Sequence, residues 1–302
     1  MASAPYRGRF APSPTGPLHF GSLVAAVGSY LEAKSRDGAW LVRIEDIDPP
    51  REMPGAADDI LRTLEAYGFE WNGPVLYQSR RGDLYDAALE KLDNDRLLYP
   101  CACTRREIAD SALPGIEGPI YPGTCRRGLL AGRTPRAVRV RVDAVEIEFE
   151  DAIQGTIRQN LARDIGDFVL KRADGFFAYQ LAVVVDDAAQ GITHVVRGSD
   201  LLDSTPRQMY LQQLLGWSTP NYAHLPVATN AAGEKLSKQT LAQPLDPKQP
   251  TPALWQALDF LGQNPPGELA AGALGDLWSW AMAQWDMRLV PRRKSCVSMR
   301  NL

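Results

Sequence analysis

With 302 residues, 45% hydrophobic and 23% charged, the chain can bury a sizeable core. That length suits one catalytic domain with an insertion, or two small domains. A formal net charge of -3 gives no global basic field for nucleic acid, although a local basic face is enough; Arg80-Arg81, Arg105-Arg106, Arg126-Arg127 and Arg292-Arg293-Lys294 are candidate patches. There is no charged-then-apolar leader and no run of about 18 apolar residues, so the expectation is a cytoplasmic protein without a membrane segment.

The first informative stretch is Arg9-Phe10-Ala11-Pro12-Ser13-Pro14-Thr15-Gly16-Pro17-Leu18-His19-Phe20-Gly21-Ser22-Leu23. A short apolar lead-in reaches a loop stiffened by prolines, and an alanine-rich helical pattern follows from Ser22 to about Ala33. Strand, rigid loop and helix start together bind a nucleotide at the carboxyl edge of a parallel sheet. The free N–H groups of the helix start attract phosphate. The same spacing also suits a proline-rich turn before a core helix, with His19 as a capping or packed side chain.

Ala39 to Ile44 reads as a buried strand that delivers Glu45, Asp46 and Asp48 to its carboxyl end. Carboxylates there can hold an ammonium, or cap a helix before Pro49-Pro50. Ala56 to Tyr67 and Asp83 to Leu92 show helical periodicity and read as scaffold. Gln78-Ser79-Arg80, between them, carries no chemical signal of its own.

Three of the four cysteines, Cys101, Cys103 and Cys125, cluster, and Cys296 stands alone. That is a poor disulfide framework and a better metal pattern in a reducing compartment. A tetrahedral site needs four ligands, and spacing shows only three. Buried free thiols are the other reading.

Ala137 to Phe149 alternates like a strand. The apolar run Phe176 to Asp187 suits a buried strand or a helix leading into one. Arg197, before Gly198 at the end of a strand, is a good carboxylate fork, with a surface ion pair as the alternative. Thr205 to Leu215 is an amphipathic helix with Pro206 in its first turn. Gly233-Glu234-Lys235-Leu236-Ser237-Lys238-Gln239 is a polar loop. Two helices are marked by Trp255 to Leu261 and by Leu274 to Trp285. The basic end, Pro291 to Leu302, reads as poorly ordered, with Cys296 a lone thiol.

His19-Phe20-Gly21-Ser22 and Lys235-Leu236-Ser237-Lys238-Gln239 resemble the HIGH and KMSKS signatures of class I aminoacyl-tRNA synthetases. Arg9 through Gly16, Val42 through Arg51 and Arg197-Gly198-Ser199-Asp200-Leu201-Leu202 resemble the glutamyl branch. Ser22 in place of the second histidine, and Gln239 in place of the final serine, are similar to the glutamyl-queuosine tRNA(Asp) synthetases within it. The resemblance spans about Tyr6 to Leu241.

It implies an α/β fold: a Rossmann-type parallel sheet, an inserted zinc-bearing subdomain and a short helical C-terminal region. The expected division is 1–99 and 161–241 for the two catalytic halves, 100–160 for the insertion and 242–302 for the tail. Only about 60 residues follow Leu241, too few for a large anticodon-reading domain.

The resemblance further implies ATP- and Mg-dependent activation of L-glutamate without tRNA, then transfer to the queuosine base of tRNA(Asp), by a monomer. His19, Lys235 and Lys238 would be catalytic, and His19, Gly21, Ser22 and Lys238 would meet ATP. Arg9, Ala11, Ser13, Glu45, Tyr179 and Arg197 would bind glutamate, with Glu45 on its α-amino group. Cys101, Cys103, Tyr121 and Cys125 would hold one structural zinc. The alternatives are a truncated ordinary glutamyl-tRNA synthetase and a non-catalytic RNA-binding paralogue.

Overall fold

The computed structural model describes residues 5–111, 113–116, 118–230 and 243–297. Strand β1 (Arg7–Phe10) leads through the proline loop into α1 (Phe20–Lys34), and β2 (Ala39–Ile44) returns parallel to β1. Helix α2 (Ala56–Ala66) then connects to β3 (Leu76–Tyr77), parallel to β2. Helix α3 (Gly82–Asn94) leads out of this half into β4 (Leu98–Cys101), the short α4 (Arg105–Ser111) and a small hairpin, β5 (Pro114–Gly115) with β6 (Gly118–Pro119). Strands β7 (Ala137–Val140), β8 (Glu146–Asp151) and β9 (Gly155–Asn160) follow, then α5 (Leu161–Asp164), β10 (Val169–Lys171) and α6 (Tyr179–Ala189).

The second half of the parallel sheet comes from β11 (His194–Gly198), α7 (Thr205–Leu215) and β12 (Asn221–Leu225). Thr193, just before β11, joins the two halves: its N–H donates to the Arg7 carbonyl at 2.9 Å, and its Oγ1 accepts the Arg7 N–H at 2.9 Å. Strand β13 (Val227–Thr229), helices α8 (Pro250–Phe260) and α9 (Leu274–Gln284) and strand β14 (Ser295–Val297) complete the chain.

Helix α1 is buried over most of its length because it lies between the sheet and the C-terminal helices; Leu23, Val24, Ala26, Val27 and Leu31 are buried. Trp278 on α9 donates its indole N–H to the Tyr67 carbonyl at 2.8 Å, and Trp285 donates to Glu32 at 2.9 Å. The C-terminal helices are thereby fixed to the first half of the sheet. A second core gathers α3, α6 and α7 through Leu92, Leu181 and Leu211.

Two expectations need correction. Ala137 to Phe149 is two strands in different sheets. β7 pairs antiparallel with β4 and β10, whereas β8 pairs with β9 and meets β12. The break falls where the Asp167 carboxylate accepts the Val142 N–H at 2.7 Å, ending the β7 ladder. The basic end is not structureless throughout: Ser295–Val297 pairs parallel with Val227–Thr229, and Ser199 Oγ donates to the Lys294 carbonyl. The apolar run Phe176 to Asp187 resolves as helix α6. Among the described residues no helix is long and apolar enough to cross a membrane.

Candidate active site

At the carboxyl ends of β1, β2 and β11 lies a cavity of about 650 Å³. Arg9, Ala11, Ser13, His19, Gly21, Ser22, Glu45, Tyr179 and Arg197 all line it. The parallel sheet explains this convergence: each strand releases its side chains at the same edge, where connecting loops leave a crevice. Lys235 and Lys238 lie outside the described residues. Downstream of them, Leu245 N–H donates to the Leu18 carbonyl at 2.9 Å and Pro244 bridges His19.

His19 is the N-cap of α1, its Nδ1 accepting the Ser22 N–H at 3.3 Å. The capping expectation is met, and the cap fixes the ring at the mouth of the helix. Gly16 adopts φ 136°, which an L side chain rarely tolerates, and so lets the proline loop fold back on itself.

Arg9 is buried and held at two points by Asp187, Nε to Oδ1 at 3.0 Å and Nη2 to Oδ2 at 3.3 Å. Arg43 reaches the same Oδ1 at 2.8 Å and Glu45 Oε1 at 3.3 Å. Burial pushes Asp187 up, but the two guanidiniums outweigh it and hold the carboxyl below its ordinary range. Glu45 shows the opposite balance: burial dominates and its pKa is raised despite Arg43 and Arg9.

Arg197 donates from Nη1 to Tyr179 Oη at 3.4 Å, from Nη2 to Thr205 Oγ1 at 2.8 Å and from Nε to His224 Nε2 at 3.1 Å. His224 Nδ1 lies 2.6 Å from Asp151 Oδ2. Burial, with Arg197 adding to it, pulls the imidazole down to about 4 against the pull of Asp151, so the ring is neutral at pH 7.

Sequence reasoning assigned no role to Arg43, Asp187 and Asp151 and left His224 out of the expected site. Arg43 alone carried a readable signal, being a charge inside the apolar strand Ala39–Ile44 that must be paired if buried. The others meet the site from elements far apart in the chain.

A second cluster sits in the insertion. The thiol sulfurs of Cys101, Cys103 and Cys125 lie within 4.8 Å of one another. Tyr121 Oη is 3.5 Å from Cys101 Sγ and 3.6 Å from Cys103 Sγ, and Cys103 and Cys125 sulfurs are 3.6 Å apart without a disulfide. A tetrahedral ion with metal–sulfur bonds of about 2.3 Å and a metal–oxygen bond of about 2.0 Å needs edges of about 3.8 and 3.5 Å. The three distances match such edges. The Arg139 guanidinium lies 3.9 Å from the Tyr121 ring centroid, and Cys125 N–H donates to Tyr121 Oη at 2.8 Å. Both contacts favour electron density on that oxygen.

The family model for tRNA synthetases class I (E and Q), catalytic domain, matches residues 6–251. The chain is 64% identical over 293 residues to a glutamyl-Q tRNA(Asp) synthetase of Dechloromonas aromatica, covering 96% of this chain and 97% of that one. It is 62% identical over 291 residues to one of Chromobacterium violaceum, again covering 96% and 97%. The fold matches a glutamate-tRNA synthetase from Elizabethkingia anophelis with a TM-score of 0.77 at 26% identity, over 97% of this chain and 68% of that one. The chain belongs to the class I tRNA synthetase family of the E and Q type, alongside its glutamyl-Q tRNA(Asp) synthetase relatives.

Proposed function

We propose that the protein activates L-glutamate with ATP in the absence of tRNA and then transfers it to the queuosine base of tRNA(Asp). The observation that carries this reading is one cavity lined by the buried Arg9, Arg197 and Glu45 together with the capped start of α1. The names of the relatives supply the acceptor.

In the first step a glutamate α-carboxylate oxygen attacks the α-phosphorus of ATP, and pyrophosphate leaves. Catalysis is positioning plus stabilisation of charge on the phosphates. His19 and the α1 start at Gly21 and Ser22 meet the phosphates from one side. Lys235 and Lys238 would add positive charge to the same phosphates, and Mg²⁺ accompanies ATP. Glu45 takes the α-ammonium, with Ala11 and Ser13 on the loop beside it. Arg9, Arg197 and Tyr179 receive the carboxylates. Glutamine is rejected because its neutral amide would leave a buried guanidinium underpaired.

In the second step a hydroxyl of the queuosine ring attacks the activated carbonyl, forming an ester and releasing AMP. Residues 1–99 and 161–241 would supply the catalytic halves, 100–160 the insertion and 242–302 the tail. Cys101, Cys103, Tyr121 and Cys125 would hold zinc as a structural closure for a loop poor in apolar residues.

Glutamate-dependent ATP–pyrophosphate exchange without tRNA tests the first step. Exchange is expected, abolished by Lys238→Ala and strongly reduced by Arg9→Ala. No exchange at saturating ATP and glutamate would leave only a binding module.

A further inference from the structure

Three neighbouring strands carry Arg197, His224 and Asp151 in line. In the parallel register Arg197 of β11 stands opposite His224 of β12, and Tyr222 of β12 bridges Asp151 at the end of β8. His224 is 0%, Asp151 3% and Arg197 5% exposed. A guanidinium Nε–H can only donate. Its 3.1 Å contact with His224 Nε2 therefore requires a lone pair there, which places the ring proton on Nδ1, 2.6 Å from the Asp151 carboxylate. Asp151 itself is fixed, its Oδ1 accepting the N–H groups of Ile153, Gln154 and His224 at 3.0, 2.9 and 3.1 Å. Thr205 Oγ1 and the Leu201 carbonyl take Nη2, leaving Nη1, beside Tyr179, as the end turned to the cavity.

We propose that the buried His224–Asp151 pair is a positioning device that sets the orientation of Arg197 toward a substrate carboxylate. The proposal rests on the reading of Arg197 as a glutamate ligand. Asp151 selects the imidazole tautomer, the tautomer presents an acceptor to Nε, and the guanidinium plane is thereby locked with Nη1 outward. Neither His224 nor Asp151 touches substrate.

The discriminating change is Asp151→Asn. It keeps an oxygen for the three backbone N–H groups but offers an amide N–H to His224 Nδ1. The imidazole must then carry its proton on Nε2, where it meets the Arg197 Nε–H donor to donor. The readout is tRNA-independent pyrophosphate exchange with the KM values for glutamate and ATP measured separately, and thermal melting as the control for folding.

A folded Asp151→Asn protein should raise the glutamate KM about ten-fold or more while the ATP KM stays within about two-fold. Adding His224→Gln, whose side-chain oxygen can accept from Arg197 without Asp151, should recover part of the loss. An unchanged glutamate KM, a parallel rise in both KM values, or no recovery in the double variant would overturn the proposal. If Asp151→Asn does not fold, His224→Gln against His224→Leu decides. The glutamine variant should keep the lower glutamate KM by about five-fold, and equal values would overturn the idea. Arg197→Ala separates the two levels: no effect of Arg197→Ala on the glutamate KM would sink the reading of the site itself, whereas a large effect with none from Asp151→Asn would sink only the positioning role.

Discussion

Asp187 and Arg9, which lines the cavity, form a two-point buried ion pair at 3.0 and 3.3 Å. The same carboxylate carries Arg43, so one residue of α6 holds two guanidiniums from two strands. The helix thus sets where Arg9 stands in a pocket lined from both halves of the sheet.

Asp187→Asn leaves both guanidiniums underpaired in the interior. Breaking a buried pair from one side costs about 3–5 kcal/mol. The expected result in denaturant unfolding is a loss of that order, with a raised glutamate KM in the folded fraction because Arg9 is released. A variant as stable as the parent would mean that Asp187 does not hold the pair.

Acid should destabilise the protein through His224. The imidazole has a folded pKa of about 4 against an ordinary value of 6.5, because burial disfavours its charged form. Between those values the unfolded chain binds a proton that the folded chain does not, so stability falls as pH falls through the window. The ceiling is about 3 kcal/mol. Asp151, held below its usual range against burial by the same histidine, extends the loss further into acid with the same sign. Urea unfolding at pH 7 and pH 4.5 should show the drop, and His224→Gln should flatten it.

The strand, loop and helix around His19 were legible because period and punctuation are local signals: Ala39–Ile44 is a strand as read, and α1 starts within two residues of its expected position. The convergence of Arg9, Glu45 and Arg197 was legible only through the resemblance to a family. What stayed hidden were partners set by topology. Asp187 and Arg9 are 178 positions apart, and His224 and Asp151 are 73 apart. No spacing rule links them, because their meeting depends on which strands become neighbours. The split of Ala137 to Phe149 was hidden for a similar reason. An alternating pattern does not say which sheet each half will join, and Asp167, which ends the first half, lies well beyond it. Likewise the pairing of Ser295–Val297 with Val227–Thr229 depends on a distant strand edge, not on the composition of the basic end.

Tyr121→Phe tests the fourth ligand of the thiol cluster. It removes the oxygen 3.5 and 3.6 Å from the Cys101 and Cys103 sulfurs while keeping the ring under Arg139. Native protein should carry about one zinc per chain, and four-coordinate sites of this type are closed by protein ligands alone. Cys101→Ser with Cys103→Ser should lose the metal, and Tyr121→Phe should weaken its retention against a chelator. Metal analysis and protease sensitivity of the insertion check this. Carefully purified native protein without metal would refute it.

Gly262 ends α8 at φ 76°, and a Cβ there would stand 2.3 Å from the Leu289 carbonyl oxygen. Gly262→Ala combines left-handed strain with a backbone clash, so a loss of about 2–4 kcal/mol is expected. Because Leu289 precedes the segment that pairs with Val227–Thr229, hydrogen exchange should rise in Ser295–Val297 before it rises in the sheet. Uniform protection with unchanged stability would contradict this account of the C-terminal packing.

Transfer of glutamate to the base itself tests the central claim most directly. Purified protein, ATP, Mg²⁺ and labelled glutamate are incubated with tRNA(Asp) that carries queuosine, and with the same tRNA lacking it. The account predicts stable label on the queuosine-containing tRNA and none on its queuosine-free counterpart. Equal labelling of both, or label only on tRNA(Glu) at an intact 3′ end, would contradict it.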